Sequence, residues 1–235
     1  MNLQTKNIYD NAVNYFSKSG KYAWHFARGK LRYDPMFFSL LKHGVLPDSG
    51  KLLDLGCGQG VLMALLLAAR QQFTQGQWPQ GWPKPPMHLD IHGVELRQDR
   101  VHTAQKAFGS EASVELGDIR HTNFSDCSVI SILDVLLYLD EDAQLDVLER
   151  LSKSLQPGNL LLLREADANA GASFHITQWA ERIAGIAYGR LWQKLSFRNS
   201  QEWKKLLEQM NFSVEVQPMS EGTPFANVLY IATKQ

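Results

Sequence analysis

Apolar and polar positions along this chain alternate between two periods, which predicts its elements. Residues 8–16 carry apolar side chains at helical spacing, and Tyr22 to Phe26 continue in the same style. Asp34-Pro35 is a helix start, with Asp as cap and Pro at the first position, and Gly44 is the matching stop. A first buried strand follows at 51–55, then three glycines at every second position, then a wholly apolar helix from Val61 to about residue 72. Further strands are expected at 88–94, 113–116, 128–133 and 160–163, with helices at 97–108 and 141–155 between them. Ser200-Gln201-Glu202-Trp203 opens another helix, and Asn211 suits its left-handed stop. Residues 212–216 and 225–233 read as a closing hairpin around a loop at 218–224. Strands alternating with helices over short links imply an α/β fold, a Rossmann-like doubly wound sheet.

Residues 73–87 break the pattern. Gln77-Trp78-Pro79-Gln80-Gly81-Trp82-Pro83-Lys84-Pro85-Pro86 suits neither a regular helix nor a central strand. It reads as a surface insertion whose two tryptophans either cover a pocket or, as expected here, pack back onto the body.

The strand, glycine turn and helix start at residues 52–69 set backbone N–H groups and a positive dipole end beside a ligand. Gly56-Cys57-Gly58-Gln59-Gly60-Val61 departs from the dinucleotide fingerprint, because Val61 stands where the third glycine belongs. The phosphate-loop pattern is absent as well. Asp54 before the turn would repel a phosphate and suits a ligand carrying positive charge.

Side chains at the strand ends fit such a ligand, since open α/β sheets bind outside the carboxyl ends of their strands. Glu95 ends the second strand and could accept from both hydroxyls of a ribose, with Leu96 following it. Its distance along the chain from Asp54 exceeds the usual ~20 residues, and the Pro/Trp insertion accounts for most of the excess. Gly117-Asp118-Ile119 follows the third strand; Asp118 could accept from an adenine amino group while Ile119 packs on the ring, or could form an ordinary Asx turn. Asp134 ends the fourth strand, with Val135 and Leu136 as wall residues.

Composition narrows the class. The chain has 235 residues, enough for one α/β domain with a small appended element. Lys plus Arg and Asp plus Glu number 24 each, so the formal charge is zero. That disfavours nucleic acid as a partner, which calls for an electropositive surface. The longest apolar run, residues 61–69, is far shorter than a membrane span. Met1 to Lys6 lack the apolar core of a signal peptide. Cys57 and Cys127 form neither metal spacing nor a disulfide framework. A soluble, cytoplasmic protein is the expectation.

Taken in order, Leu52 to Gly60, Val94-Glu95, Gly117-Asp118-Ile119, Asp134 to Tyr138 and Leu155 to Leu160 resemble the motifs of class I S-adenosylmethionine (SAM) dependent methyltransferases. The resemblance covers roughly residues 45–235. It implies a seven-stranded sheet ending in an antiparallel hairpin, preceded at 1–44 by a helical lid. It further implies SAM as cofactor, S-adenosylhomocysteine as product, and cofactor contacts from Asp54, Gly56, Cys57, Gly58, Gly60, Glu95, Leu96, Asp118, Ile119, Asp134 and Val135. More loosely, Lys30 to Pro35, the Trp/Pro insertion and Gly222 to Asn227 resemble methyltransferases of bacterial aryl polyene and xanthomonadin-type pigment clusters. That likeness implies a small acceptor, aromatic or carrier-bound, methylated on oxygen or carbon.

An oxygen or activated carbon nucleophile usually needs a base near neutral pH. His25 in the N-terminal segment and His175 beyond the fifth strand are the candidates, and Tyr138 is a candidate neighbour of the sulfonium. His43 beside Gly44 is more simply a helix C-terminal charge. Arg164, Glu165 and Asp167 are expected just after the fifth strand, as substrate contacts or as a paired surface cluster. Asp134, Asp167 and Asn169 give no convincing metal spacing, so no metal is expected. Asp134 lacks the Pro-Pro-aromatic sequel of adenine and glutamine N-methyltransferases. Two further functions stay open: SAM-fold chemistry of another kind, such as aminopropyl transfer, and a non-catalytic SAM-binding partner module.

Overall fold

The computed structural model describes residues 2–187 and 194–235. It forms two compact units, Met1–Asn123 with Cys127–Ile130, and Phe124–Asp126 with Ser131–Gln235. The three N-terminal helices are part of the first unit. The strands hydrogen-bond in the order β3-β2-β1-β4-β5-β7-β6, a seven-stranded mixed sheet. No helix among the described residues is long and apolar enough to cross a membrane.

In the first unit, helices α1 (Leu3–Asn14), α2 (Lys21–Tyr33) and α3 (Pro35–Lys42) precede β1 (Ser49–Leu55), α4 (Val61–Thr74), β2 (His88–Glu95), α5 (Gln98–Phe108) and β3 (Ser113–Leu116). Strands β1, β2 and β3 are parallel, Leu55 facing Val94 and Glu95 facing Leu116. Helix α4 is apolar all round because all of it from Val61 to Ala69 is buried. Helix α1 lies against α4, and Phe16 meets Phe108 of α5 edge-on at 6.0 Å. Asp34 caps α3 by accepting from the Met36 N–H at 3.2 Å, with Pro35 at its first position and Gly44 left-handed beyond its end.

The Pro/Trp insertion packs back onto the first unit. Trp78 lies edge-on to both Phe73 and Trp82, at 6.1 and 5.9 Å, and its Nε1 donates to the Pro83 carbonyl at 2.9 Å. Pro83 fills the space that a Cβ on Gly44 would need. Asp48 accepts from the Met87 N–H at 2.9 Å and from Lys84 at 3.2 Å. The insertion therefore lies where β1 and β2 begin, at the edge opposite the glycine turn.

Strand β4 (Val129–Leu133) runs from the first unit into the second, which continues with a 3-10 turn at Leu136–Tyr138, α6 (Glu141–Ser154), β5 (Leu160–Ala166), α7 (Ala172–Ala187), α8 (Ser200–Gln209), β6 (Phe212–Pro218) and β7 (Asn227–Lys234). Strand β7 is antiparallel to both β5 and β6, as the closing hairpin requires. Asn199 and Glu202 form a reciprocal capping box on α8, and Asn211 is left-handed just past its end. One expectation needs correction: β5 extends three residues beyond Leu163. Arg164 and Glu165 lie inside the strand, each only 1% exposed, because both find partners within the unit.

Candidate functional site

The glycine turn joins β1 to α4 through left-handed residues that ordinary side chains avoid. Gly56, Gly58 and Gly60 have φ of 71°, 60° and 85°. Gly60 also has no room to spare, since a Cβ there would come within 2.5 Å of Phe108. Glu95, buried at the end of β2, clamps the turn: Oε2 accepts from the Gly58 N–H and Oε1 from the Arg97 N–H, both at 2.9 Å. Gln59 turns the other way and donates to the Ala23 carbonyl of α2 at 2.7 Å. Asp54 is buried just before the turn.

Cys57 belongs to the same group. Its thiol packs on Gly93 of β2, where a Cβ would lie 2.7 Å from Sγ, although the residue as a whole keeps some accessible surface. Burial pushes the thiol well above its ordinary pKa, and the negative charges of Asp54 and Glu95 push in the same direction.

The first unit thus brings Asp54, Gly56, Cys57, Gly58, Gly60 and Glu95 together. Leu96 is 65% exposed beside them. Ile119 is buried, and Asp118 forms the anticipated Asx turn. It accepts from the Arg120 N–H at 2.9 Å in an Asx turn, and its carboxylate is gripped by the Arg120 guanidinium, which holds its pKa below the usual carboxylate range.

In the second unit, Asp134 is left-handed at φ 60° and pairs with Arg164 through both carboxylate oxygens; its Oδ1 lies 2.8 Å from Nε. Glu165 Oε1 accepts from the Val135 and Leu136 N–H groups at 3.2 and 2.8 Å. Burial raises its pKa well above the ordinary value, and neighbouring Asp134 adds to the shift. Arg164 and Glu165, expected just after the fifth strand, lie within it and hold the turn after β4. Asp167 Oδ1 accepts from the N–H groups of Asn169 and Ser200, at 2.9 and 3.0 Å. Tyr138 donates to Glu181 at 2.6 Å.

His25 on α2 and His175 on α7 are both exposed, one edge-on to Trp24 at 4.8 Å and the other beside Phe174 at 6.0 Å. Among the described residues no group of three His, Cys, Asp or Glu could hold a metal. Sequence reasoning passed over Gly93 and Arg100, whose Nη1 lies 3.3 Å from the position of a Cβ on Gly58. A glycine in the interior of a strand was the signal for the first. Arg100 carried none, because a charged residue on a helix reads as solvated.

The family model for the methyltransferase domain matches residues 23–217. The chain belongs to that family. The motif resemblance to class I SAM-dependent methyltransferases therefore holds at the level of family. Among curated proteins, the carboxy-S-adenosyl-L-methionine synthase of Actinobacillus succinogenes is 30% identical over 131 residues, covering 54% of this chain and 48% of that protein. The chain spans about half the length of the curated relatives it matches. Among solved structures, human N-acetylserotonin methyltransferase in complex with SAM superposes with a TM-score of 0.62 at 16% identity, covering 97% of this chain and 57% of that one. An O-methyltransferase from neocarzinostatin biosynthesis, in complex with S-adenosylhomocysteine and 1,4-dihydroxy-2-naphthoic acid, gives 0.58 at 18% identity over 90% and 56%. At such identities the likeness is one of fold.

Proposed function

We propose that this protein transfers a methyl group from SAM to oxygen or carbon of a small aromatic acceptor, free or carried on a thioester. The observation that carries the reading is the glycine turn with the Glu95 carboxylate clamped against it. Three left-handed glycines leave the backbone open to close approach, and two buried acids, Asp54 and Glu95, stand beside it. This donor set fits SAM, which bears an ammonium, a sulfonium and ribose hydroxyls, and it fits a phosphate poorly. When bound, SAM supplies an electrophilic methyl on a cationic sulfur.

The residues of the chain bind and orient. Each Glu95 oxygen already takes one N–H and keeps acceptor capacity for a hydroxyl. Asp54 offers charge complementary to the ammonium. Asp118 with Ile119 would hold the adenine, and Asp134 and Val135 are further candidate cofactor contacts. Alignment of nucleophile, carbon and sulfur is the main task of such a site. His25 or His175 would remove the acceptor's proton, and Asp167 would contact the acceptor.

Calorimetry with SAM, S-adenosylhomocysteine and NAD tests the cofactor, and tight NAD binding without SAM binding would sink the reading. A homocysteine-release screen over phenolic acids and thioester-borne aryl groups, repeated with His25→Ala and His175→Ala, tests the acceptor and the base. The curated relatives favour a second reading, chemistry on SAM other than methyl transfer. Mass spectrometry separates the two: S-adenosylhomocysteine supports the first, and a mass-shifted SAM supports the second.

A further inference from the structure

Helices α1 and α2 line a half-open groove within the first unit, of about 350 Å³. That volume falls in the range of small-molecule sites, which run from roughly 300 to 1,000 Å³. Tyr9 and Trp24 supply its aromatic wall, and Lys6, Asp10, Arg28 and Arg32 supply its charge. Asp10 is engaged, since it pairs with Lys6 at 2.5 Å. The two arginines are different: among the described residues neither meets a carboxylate. Each is stacked instead, Arg28 over Trp24 at 4.7 Å and Arg32 over Tyr33 at 5.7 Å. A stacked guanidinium is held in place by its face and keeps its in-plane N–H donors for a planar or tetrahedral oxyanion.

The surrounding sequence repeats the bias. Residues 1–44 contain seven Lys or Arg against two Asp, in a chain whose overall balance is zero. A cationic excess gathered on one helical element raises the local concentration of anions. None of this is needed for the glycine turn, Asp54 or Glu95 to hold a cofactor.

We propose that the α1/α2 groove is a second binding site, taking a small aromatic molecule that bears one carboxylate or phosphate group. The aromatic body lies against Trp24 and Tyr9, and Arg28 and Arg32 take the oxyanion. No covalent step is involved.

Calorimetry on the full chain, saturated with SAM, tests this with benzoate, phenyl phosphate and inorganic phosphate as probes. Phenyl phosphate or benzoate is expected to bind at one site, and whichever binds more tightly identifies the anionic group. Arg28→Ala and Arg32→Ala are each expected to weaken it about tenfold, the scale of a lost charge-assisted hydrogen bond. Lys18→Ala, which removes a nearby charge outside the groove, should leave the affinity unchanged. Wild-type affinity should also fall as salt rises, a readout that needs no variant. Absence of heat at millimolar probe, an affinity indifferent to both arginines, or one indifferent to salt overturns the proposal. Inorganic phosphate binding as tightly as phenyl phosphate overturns its aromatic part.

Discussion

Replacing Glu95 with glutamine tests the clamp on the glycine turn and the cofactor assignment in one variant. The native carboxylate accepts two backbone N–H groups, one at each oxygen, both at 2.9 Å and with the residue only 7% exposed. Glutamine is nearly isosteric but has one acceptor oxygen. Whichever way the amide is turned, either the Gly58 or the Arg97 N–H faces an NH2 group. The loss is one charge-assisted bond with its donor stranded, about 2–3 kcal/mol, and urea denaturation should read it directly. SAM affinity, measured by calorimetry on the folded variant, should fall about ten- to a hundredfold beyond any loss through unfolding. Wild-type stability in the variant would show that the two clamp bonds contribute nothing. Undiminished SAM affinity in a folded protein would remove Glu95 from the ligand.

Gly93→Ala places a Cβ 2.7 Å from the Cys57 sulfur and 3.1 Å from that of Met63, an overpacking worth about 1–3 kcal/mol. Cys57→Ala should recover much of that cost, and simple additivity in the double-mutant cycle would contradict the contact. Arg164→Ala removes the buried guanidinium that pairs with the Asp134 carboxylate and should cost about 3–5 kcal/mol in urea unfolding; a loss near zero would mean the ion pair is idle. The raised pKa of Glu165 has a definite sign. The folded state keeps a proton that the unfolded state gives up near its ordinary value of 4.5, so this group's contribution favours folding below that pH and is lost as pH climbs toward the folded-state pKa. Glu165→Gln keeps an Oε1 for both the Val135 and Leu136 N–H groups and removes the titration. Its stability should therefore depend less on pH above 4.5 than that of the wild type, and parallel pH profiles would refute the assignment.

Most of the sheet could be read from periodicity because β4 and β5 carry short apolar runs, β6 alternates apolar with polar residues, and helix ends carry ordinary signals such as Asp34-Pro35 and Asn211. The end of β5 could not. Arg164 and Glu165 look like the point where a strand emerges into water. They stay buried because the Asp134 carboxylate and the N–H groups of the turn after β4 meet them, partners about thirty residues away in sequence. The acids of the first three strand ends were visible as residue types, yet their engagements were not. Nothing local shows that Glu95 reaches Gly58, or that Asp118 is gripped by Arg120. Pairings made through tertiary approach leave no trace in spacing.

The aromatic stack of Phe73, Trp78 and Trp82 has a practical consequence. It sits where β1 and β2 begin, at the edge of the first unit away from the glycine turn. Indole emission is governed by immediate surroundings, and this pair is fixed by its own packing and by the bond from Trp78 to Pro83. A variant retaining Trp78 as its one tryptophan of six, with phenylalanine at position 82 to keep the edge contact, would carry an optical gauge of first-unit folding that stays silent when a ligand enters the turn.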